Sequence, residues 1–395
     1  MDKLSQKEYK ILSYLYQLRV LTFQEIEEYI LKDTSRRYIE NIVSKLVKDE
    51  YIEKHGRYKD DAYYQIKQKG VKYLDINGLL PLAGSTPNIY PLLPASKIKI
   101  SDTTSAHQAA LNHFVLRRAD EKDFEYYDEK YLSKIISGAR PDGIIVDDKY
   151  YFLEMDMNTE REKALNLKWS HYRNFLTSES FYNMKQKVMG LFILGGNIRG
   201  VSLRRSYLRK QILSSIPDLL SKKFNFVIGT EDRLFDILNS SPKNEIAGYF
   251  NKEGYRIGRG ELSKGGLNGF TFDIYAAKSA SDGKVLSKNG DAKEFIIDDL
   301  TDGNLYSLYK LSAIASVESS FNYVYHRNIK CIEVVNNEDE AYEICKELDT
   351  FNEKVYFTTL SRLNTHSLNS ALFQIDRYGN RWHFSEESLR MKIEE

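Results

Sequence analysis

Residues 139–160, ARPDGIIVDDKYYFLEMDMNTE, set two short strand-like runs back to back with only DDK between them. So short a connection commits the two runs to an antiparallel pair. Each run carries acid: Asp142 heads the first, and Glu154 and Asp156 lie in the second. The pair reads in two ways at this level. It is either a metal site built from carboxylates on neighbouring strands, or an ordinary hairpin with charged ends in which Asp142-Gly143 marks a bend.

The surroundings of the pair predict a mixed α/β (α+β) core. TSAHQAALNHFVLRRA reads as a helix and FEYYDEKYL as a strand preceding the pair. TEREKALNLKWSHYRNFL follows as a helix, with Thr159 as its N-cap and Glu160 and Glu162 in its first turn. QKVMGLFILGG, SLRRSYLRKQILSSI and FNFVIGT then give strand, helix, strand. The order is α-β-β-β-α-β, followed by α-β.

Upstream, SQKEYKILSYLYQL, TFQEIEEYI and TSRRYIENIVSKLVKDEYI read as three helices. Thr22 and Glu25 are spaced as a capping box, and Thr34 or Ser35 opens the third helix. IEKHGRYKDDAYYQIKQKGVKYL adds a hairpin around a charged turn and a last helical start. That is the order of a winged helix, whose third helix enters the major groove while the hairpin meets phosphates. Arg36, Arg37 and Lys45 are the expected DNA contacts on the third helix, and Lys54, Arg57 and Lys59 those of the wing, with Lys67 and Lys69 beyond.

Four of the seven prolines fall in GLLPLAGSTPNIYPLLPAS, which reads as an extended linker. The expected division is therefore a winged helix over 1–78, a linker over 79–100, a core over 101–245 and a second α/β unit over 246–395. In the last, GFTFDIYAA and KEFIIDDL read as strands, NLYSLYKLSAIASVESSFNYVY as a long helix, IKCIEVV onward as β-α-β, and LFQIDRYGNRWHF as a hairpin. No internal repeat and no catalytic constellation are evident there, and YRIGRGELSKGGLNG reads as a loop.

The chain's 395 residues carry a net charge of +1, so affinity for nucleic acid must come from local clustering. One such cluster stands out. Between Ser180 and Pro217 there is no acid but seven basic residues, Lys185, Lys187, Arg199, Arg204, Arg205, Arg209 and Lys210. Arg204, Arg205 and Arg209 are expected to touch DNA, and Tyr172 and Tyr207 to stack on bases. The two cysteines exclude a disulfide framework and a thiolate zinc cluster, which fits a reducing, cytoplasmic setting. No apolar run approaches a membrane span. There is no phosphate-binding GxxxxGK[ST] loop and no closely spaced histidine pair among the seven histidines; His107 and His113 read as capping or buried hydrogen-bonding residues.

Pro141-Asp142 and Glu154-Met155-Asp156 within this order resemble the PD-(D/E)xK nuclease core. More narrowly, the winged helix with RPDGIIV, YYFLEMDMNTE and LNLKWSHYRNF resembles the replication-relaxation family of bacterial plasmids and related mobile elements, from about Ser5 to Thr230. The resemblance implies a role in plasmid replication and DNA relaxation. It also implies a catalytic group of Asp142, Glu154, Asp156, Lys168 and Tyr172, with Asp142, Glu154 and Asp156 holding Mg²⁺ or Mn²⁺ to nick DNA. Asp156 departs from the motif, which has lysine at that position. Either Asp156 is a further ligand, or the cation has moved to Lys168 on the next helix. Glu160 is an additional ligand candidate, with His171 beside it, and Tyr172 is a candidate nucleophile. The partners expected are double-stranded DNA, single-stranded DNA at an origin and a second copy of the chain, with no membrane. Two competing readings are a non-enzymatic initiator or regulator built on an inactive nuclease-like core, and a winged helix that docks a protein.

Overall fold

Ser5 and Glu8 open the first helix. The Ser5 hydroxyl accepts from the Glu8 amide at 3.3 Å, and the Glu8 carboxylate accepts from the Ser5 amide at 2.7 Å. This reciprocal cap starts α1 (Gln6–Leu18). The structure is a computed structural model that describes residues 3–58, 61–158, 161–184, 186–195, 200–221, 223–239, 242–258, 270–278, 294–314, 329–352 and 355–383. Its described residues are mixed helix and strand, as the α+β expectation requires.

After α1 come β1 (Leu21–Thr22) and α2 (Phe23–Glu25), which continues as a wider turn over Ile26–Ile30. The expected capping box is present: the Thr22 hydroxyl accepts from the Glu25 amide at 3.0 Å, and Glu25 accepts from the Thr22 amide at 2.7 Å. Helix α3 (Arg36–Lys48) starts at Ser35 and buries Ile39, Ile42, Val43 and Leu46. Strands β2 (Ile52–Tyr58) and β3 (Asp61–Ile66) pair antiparallel, and β1 joins the free edge of β3, giving the order β1-β3-β2. Helix α4 (Gln68–Asn77) closes the winged helix.

The proline-rich stretch is extended, but it is no free tether. The Tyr14 hydroxyl donates to the Leu82 carbonyl at 2.9 Å and the Gln17 amide to the Leu80 carbonyl at 2.9 Å, while Leu79, Leu82 and Ile89 are buried. A short helix α5 (Ala95–Ile98) leads into α6 (Asp102–Glu121). Asn112 of α6 donates to the carbonyls of Leu18 and Val20 at 3.1 and 2.6 Å. Winged helix and core thus share one compact unit, residues 1–205 with 229–232.

Within that unit β4 (Glu125–Asp128), β5 (Gly143–Val146), β6 (Tyr150–Asp156) and β7 (Val188–Leu194) lie side by side in chain order. The first two pairings are antiparallel and β6–β7 is parallel. Helices α7 (Glu162–Leu176) and α8 (Glu179–Asn183) make the crossover between β6 and β7. Helix α7 begins at Arg161; the expected cap Thr159 and the candidate ligand Glu160 lie outside the described residues. Helix α9 (Val201–Ser215), β8 (Phe224–Thr230) and α10 (Glu231–Asn239) follow.

The second unit comprises residues 206–228 and 233–395. Its elements are α11 (Pro242–Lys252), β9 (Arg256–Gly258), β10 (Ile274–Ala277), β11 (Glu294–Asp299), helix α12 over 305–314, β12 (Ile329–Val335), α13 (Glu338–Leu348) and β13 (Val355–Thr359). Two short helices, α14 (Leu360–Thr365) and α15 (Leu368–Ala371), precede the hairpin of β14 (Phe373–Ile375) and β15 (Arg381–His383). The sheet runs β15-β14-β13-β12-β11-β10-β9 over a core that includes Ile246, Phe250, Phe295, Ile297, Ile332 and Val334. The strands, the β-α-β run and the last hairpin fall where the sequence places them. The glycine-rich loop and the end of the long helix lie largely outside the described residues. No described helix is long and apolar enough to cross a membrane.

Candidate active site and nucleic-acid interface

Asp142 and Glu154 face each other. Gly143 pairs with Leu153 in antiparallel register, and the Asp142 amide donates to the Leu153 carbonyl at 2.8 Å. Facing positions send their side chains to one side of the sheet. Asp156, two residues along β6, joins that side by the strand period. Asp142 sits at a bend and Gly143 is the first residue of β5, where a Cβ would meet the Tyr126 ring at 2.9 Å. The sequence thus delivers three carboxylates to one face, and each meets a different partner.

Glu154 is fully buried. Helix α7 brings Lys168 and Tyr172, one turn apart, onto its two oxygens: Lys168 Nζ donates at 2.6 Å and the Tyr172 hydroxyl at 2.6 Å. Burial pushes the Glu154 carboxyl up to about 7 against the pull of Lys168, with nearby Asp142 adding to the rise. Burial also drives the Tyr172 hydroxyl far above the usual phenol range, with the Glu154 charge adding to it.

Asp142 accepts from the Met155 amide at 2.7 Å, and His107 Nε2 of α6 stands 3.3 Å from the same oxygen. Burial would raise this carboxyl, but the His107 bond and charge, Lys168 and the Met155 amide hold it below its ordinary value. Burial lowers His107, and the Asp142 bond and charge more than offset that, so His107 is raised. His107 also lies 2.9 Å from the Met155 carbonyl. It was legible only as a buried hydrogen-bonding histidine, because nothing local shows which strand α6 will cross.

Asp156 is paired elsewhere. Arg204 clasps it with Nε at 2.7 Å and Nη2 at 2.9 Å, and the Asn158 amide donates at 3.0 Å. Both side chains are nearly inaccessible, at 1% for Asp156 and 10% for Arg204. This corrects two expectations. Arg204 is a structural partner of Asp156 rather than a DNA contact, and Asp156 is a neutralised carboxylate rather than a free ligand. The lysine that meets this group comes from the helix: Lys168 contacts Glu154, not Asp156.

No group of three acidic, histidine or cysteine side chains among the described residues is arranged to hold a metal ion. Asp142 and Glu154 remain, a facing carboxylate pair beside a lysine. This donor set fits a hard cation that keeps several waters. Asp142 is the entrance, with its side chain 23% exposed, whereas Glu154 is sealed. Tyr172 is fully buried, so it can neither stack on a base nor reach a phosphate as a nucleophile.

On the winged helix, the exposed stripe of α3 is Arg37, Asn41, Ser44 and Lys48, opposite the buried one. Arg37 is the one expected contact on that stripe. Arg36 pairs with Glu27 at 2.8 Å and lies over the Phe23 ring. Lys45 reaches back to Glu8 of α1 at 2.7 Å. Strand β2 ends at Tyr58 with Arg57 in it; the Arg57 side chain and Lys59 lie outside what is described. Lys67 pairs with Glu50 at 2.9 Å, and Lys69 donates to the Asp49 carbonyl at 2.8 Å, both at the start of α4 rather than at the wing tip.

The basic run does not form one surface. Arg209 is buried and pairs with Glu347 at 3.4 Å, which removes it from the expected DNA contacts. Arg205 is half-buried, Lys187 and Lys210 are exposed, and Lys185 and Arg199 lie outside the described residues. Sequence periodicity missed Asn41, Ser44 and Lys48, although the buried stripe of α3 already implied its opposite face.

Residues 12–191 match the family model described as replication-relaxation. That stretch holds the second half of α1, the rest of the winged helix and the core into the first half of β7. A search of curated proteins finds no match.

Proposed function

We propose, from the match of residues 12–191 to the replication-relaxation family model, that this protein binds duplex DNA in the replication of a plasmid or related mobile element and nicks it at the Asp142–Glu154–Lys168 group. The winged helix presents Arg37, Asn41, Ser44 and Lys48 to the duplex. The single observation behind the nicking reading is the contact between Lys168 Nζ and Glu154 at 2.6 Å, opposite Asp142. It restores the acid–acid–lysine chemistry of the motif with a lysine from the following helix.

A divalent cation bound at the carboxylate pair supplies water activation and charge neutralisation. The chain's own groups set the stage. Lys168 opposes the effect of burial on Glu154, and in this reading its positive charge is the one that would meet negative charge building on a phosphate. His107 and the Met155 amide fix the Asp142 carboxylate. Arg204 keeps Asp156 out of the reaction.

A second reading rests on Tyr172. With both Glu154 oxygens bonded, the group is also a closed polar core that shapes a DNA-binding scaffold without cutting. Supercoiled plasmid incubated with the protein and Mg²⁺ or Mn²⁺ separates the two. Conversion to open circles that disappears with Asp142→Ala supports nicking. A duplex that shifts in a gel yet is never nicked leaves the scaffold.

A further inference from the structure

The second unit repeats the strand order of the first core. In the first, β4–β5 and β5–β6 are antiparallel, and β6 is joined to parallel β7 through α7. In the second, β9–β10 and β10–β11 are antiparallel, and β11 is joined to parallel β12 through α12. Each set has a helix before it, α6 in one and α11 in the other. No such repeat is evident in the amino-acid sequence.

The polar groups repeat as well. Asp273 immediately precedes β10, as Asp142 precedes β5, and the Ile274–Ile297 pairing sets it opposite Asp298, as Asp142 is opposite Glu154. The amide after the second acid donates to the first acid in both: Met155 to Asp142 at 2.7 Å, and Asp299 to Asp273 at 3.2 Å. The next helix supplies a lysine to the second acid, Lys168 at 2.6 Å and Lys310 at 2.5 Å. The preceding helix supplies a basic group to the first acid, His107 at 3.3 Å and Lys243 at 2.8 Å.

Two differences point to a ligand. The first core closes its second acid with the Tyr172 hydroxyl, whereas Asp298 Oδ2 has no hydrogen-bond partner among the described residues. Strand β12 adds Glu333 in register with Asp298, where β7 has Phe192 beside Glu154, and Glu333 Oε2 is also unpartnered among the described residues. Both acids are fully buried. Carboxylate oxygens aimed at a shared sheet face without a donor are costly, by about 1–3 kcal/mol or more each, unless something positive meets them.

We propose that the second unit is a second copy of the nuclease-type core, and that Asp273 and Asp298, beside Glu333 and Lys310, form a second site for a hard divalent cation such as Mg²⁺ or Mn²⁺. Two carboxylates with waters suffice for such an ion. Lys310 holds Oδ1 of Asp298 and leaves Oδ2 open. Lys243, 47% exposed, is free to swing away from Asp273 and admit the ion. The site does not depend on nicking at Asp142 and Glu154.

The test is Mn²⁺ binding by the full chain carrying Asp142→Ala, followed by electron paramagnetic resonance of the free ion. Retained binding that weakens at least tenfold on adding Asp273→Asn is expected. Absence of binding, or binding indifferent to Asp273→Asn, overturns the proposal. Lys243→Ala gives a second readout at an exposed position: it should tighten Mn²⁺ binding severalfold, and an unchanged affinity counts against the site. Nicking assays bear only on the first core, so failure there leaves these outcomes untouched.

Discussion

The two acid–lysine cores differ less in plan than in how they are closed. In the first, Tyr172 and Lys168 take both oxygens of Glu154, and Arg204 takes Asp156. In the second, Lys310 takes one oxygen of Asp298, and a further acid, Glu333, stands beside it. The first lysine is 15% exposed and the second 1%. A shared strand order therefore fixes where two acids and a lysine meet, while the neighbours decide whether the second acid is closed by a hydroxyl and a lysine or stands beside a further buried acid. Burial raises both Glu154 and Glu333, but Glu154 to about 7 and Glu333 well above the carboxylate range, with Asp298 adding to the latter.

Removing each lysine should break the comparison most sharply. Lys310→Ala leaves Asp298 and Glu333 buried without their cation and should cost about 3–5 kcal/mol. Lys168→Ala should cost about 1–3 kcal/mol, because Glu154 keeps Tyr172 and can take up a proton near neutrality. Urea unfolding of both variants at neutral pH measures the difference, and equal losses would show that sealing does not distinguish the cores.

Tyr172→Phe makes the first core resemble the second by freeing one Glu154 oxygen. A loss of about 1–3 kcal/mol is expected in denaturant unfolding, together with a further upward shift of Glu154. A variant as stable as the parent would mean that the hydroxyl adds nothing to closure.

The pH response carries a definite sign. Glu154 has its folded value raised from 4.5 to about 7, so the folded state binds this proton more tightly than the unfolded chain does. Its contribution to stability is intact below about 4.5, declines as the pH climbs to about 7, and is level above that. Glu154→Gln should remove this decline, visible as a smaller difference between unfolding free energies at acidic and alkaline pH.

The smallest effect on the fold should come from the winged helix. Arg37→Ala and Lys48→Ala lie on an exposed stripe and should change stability by no more than about 0.5 kcal/mol. Each should lower the salt dependence of duplex binding by about one counterion. Fluorescence anisotropy across a salt series checks this, and unchanged slopes would move the DNA contact elsewhere.

Much of the fold was legible because its signals are local. The capping box at Thr22, the buried stripe of α3 and the apolar run of β7 each announce an element within a few residues. The facing of Asp142 and Glu154 was legible for the same reason: a tight turn fixes the register of neighbouring strands. The fates of Arg204 and Arg209 were not. A run of basic residues looks like a surface until distant Asp156 and Glu347 turn two of them inward. The second core was hidden because Asp273 and Asp298 are separated by a long connection, and an aspartate stands where the first core has glutamate.

Sequence by itself determined the elements, the winged-helix order and the pairing of two carboxylates on adjacent strands, because periodicity, caps and short turns act over a few residues. Tertiary structure alone decided which charges meet. It brought Lys168 and Tyr172 onto Glu154, gave Asp156 to Arg204, and raised a second acid–lysine group from strands far apart in the chain. Burial made those meetings obligatory, since a charge taken out of water must find its partner wherever the fold puts one.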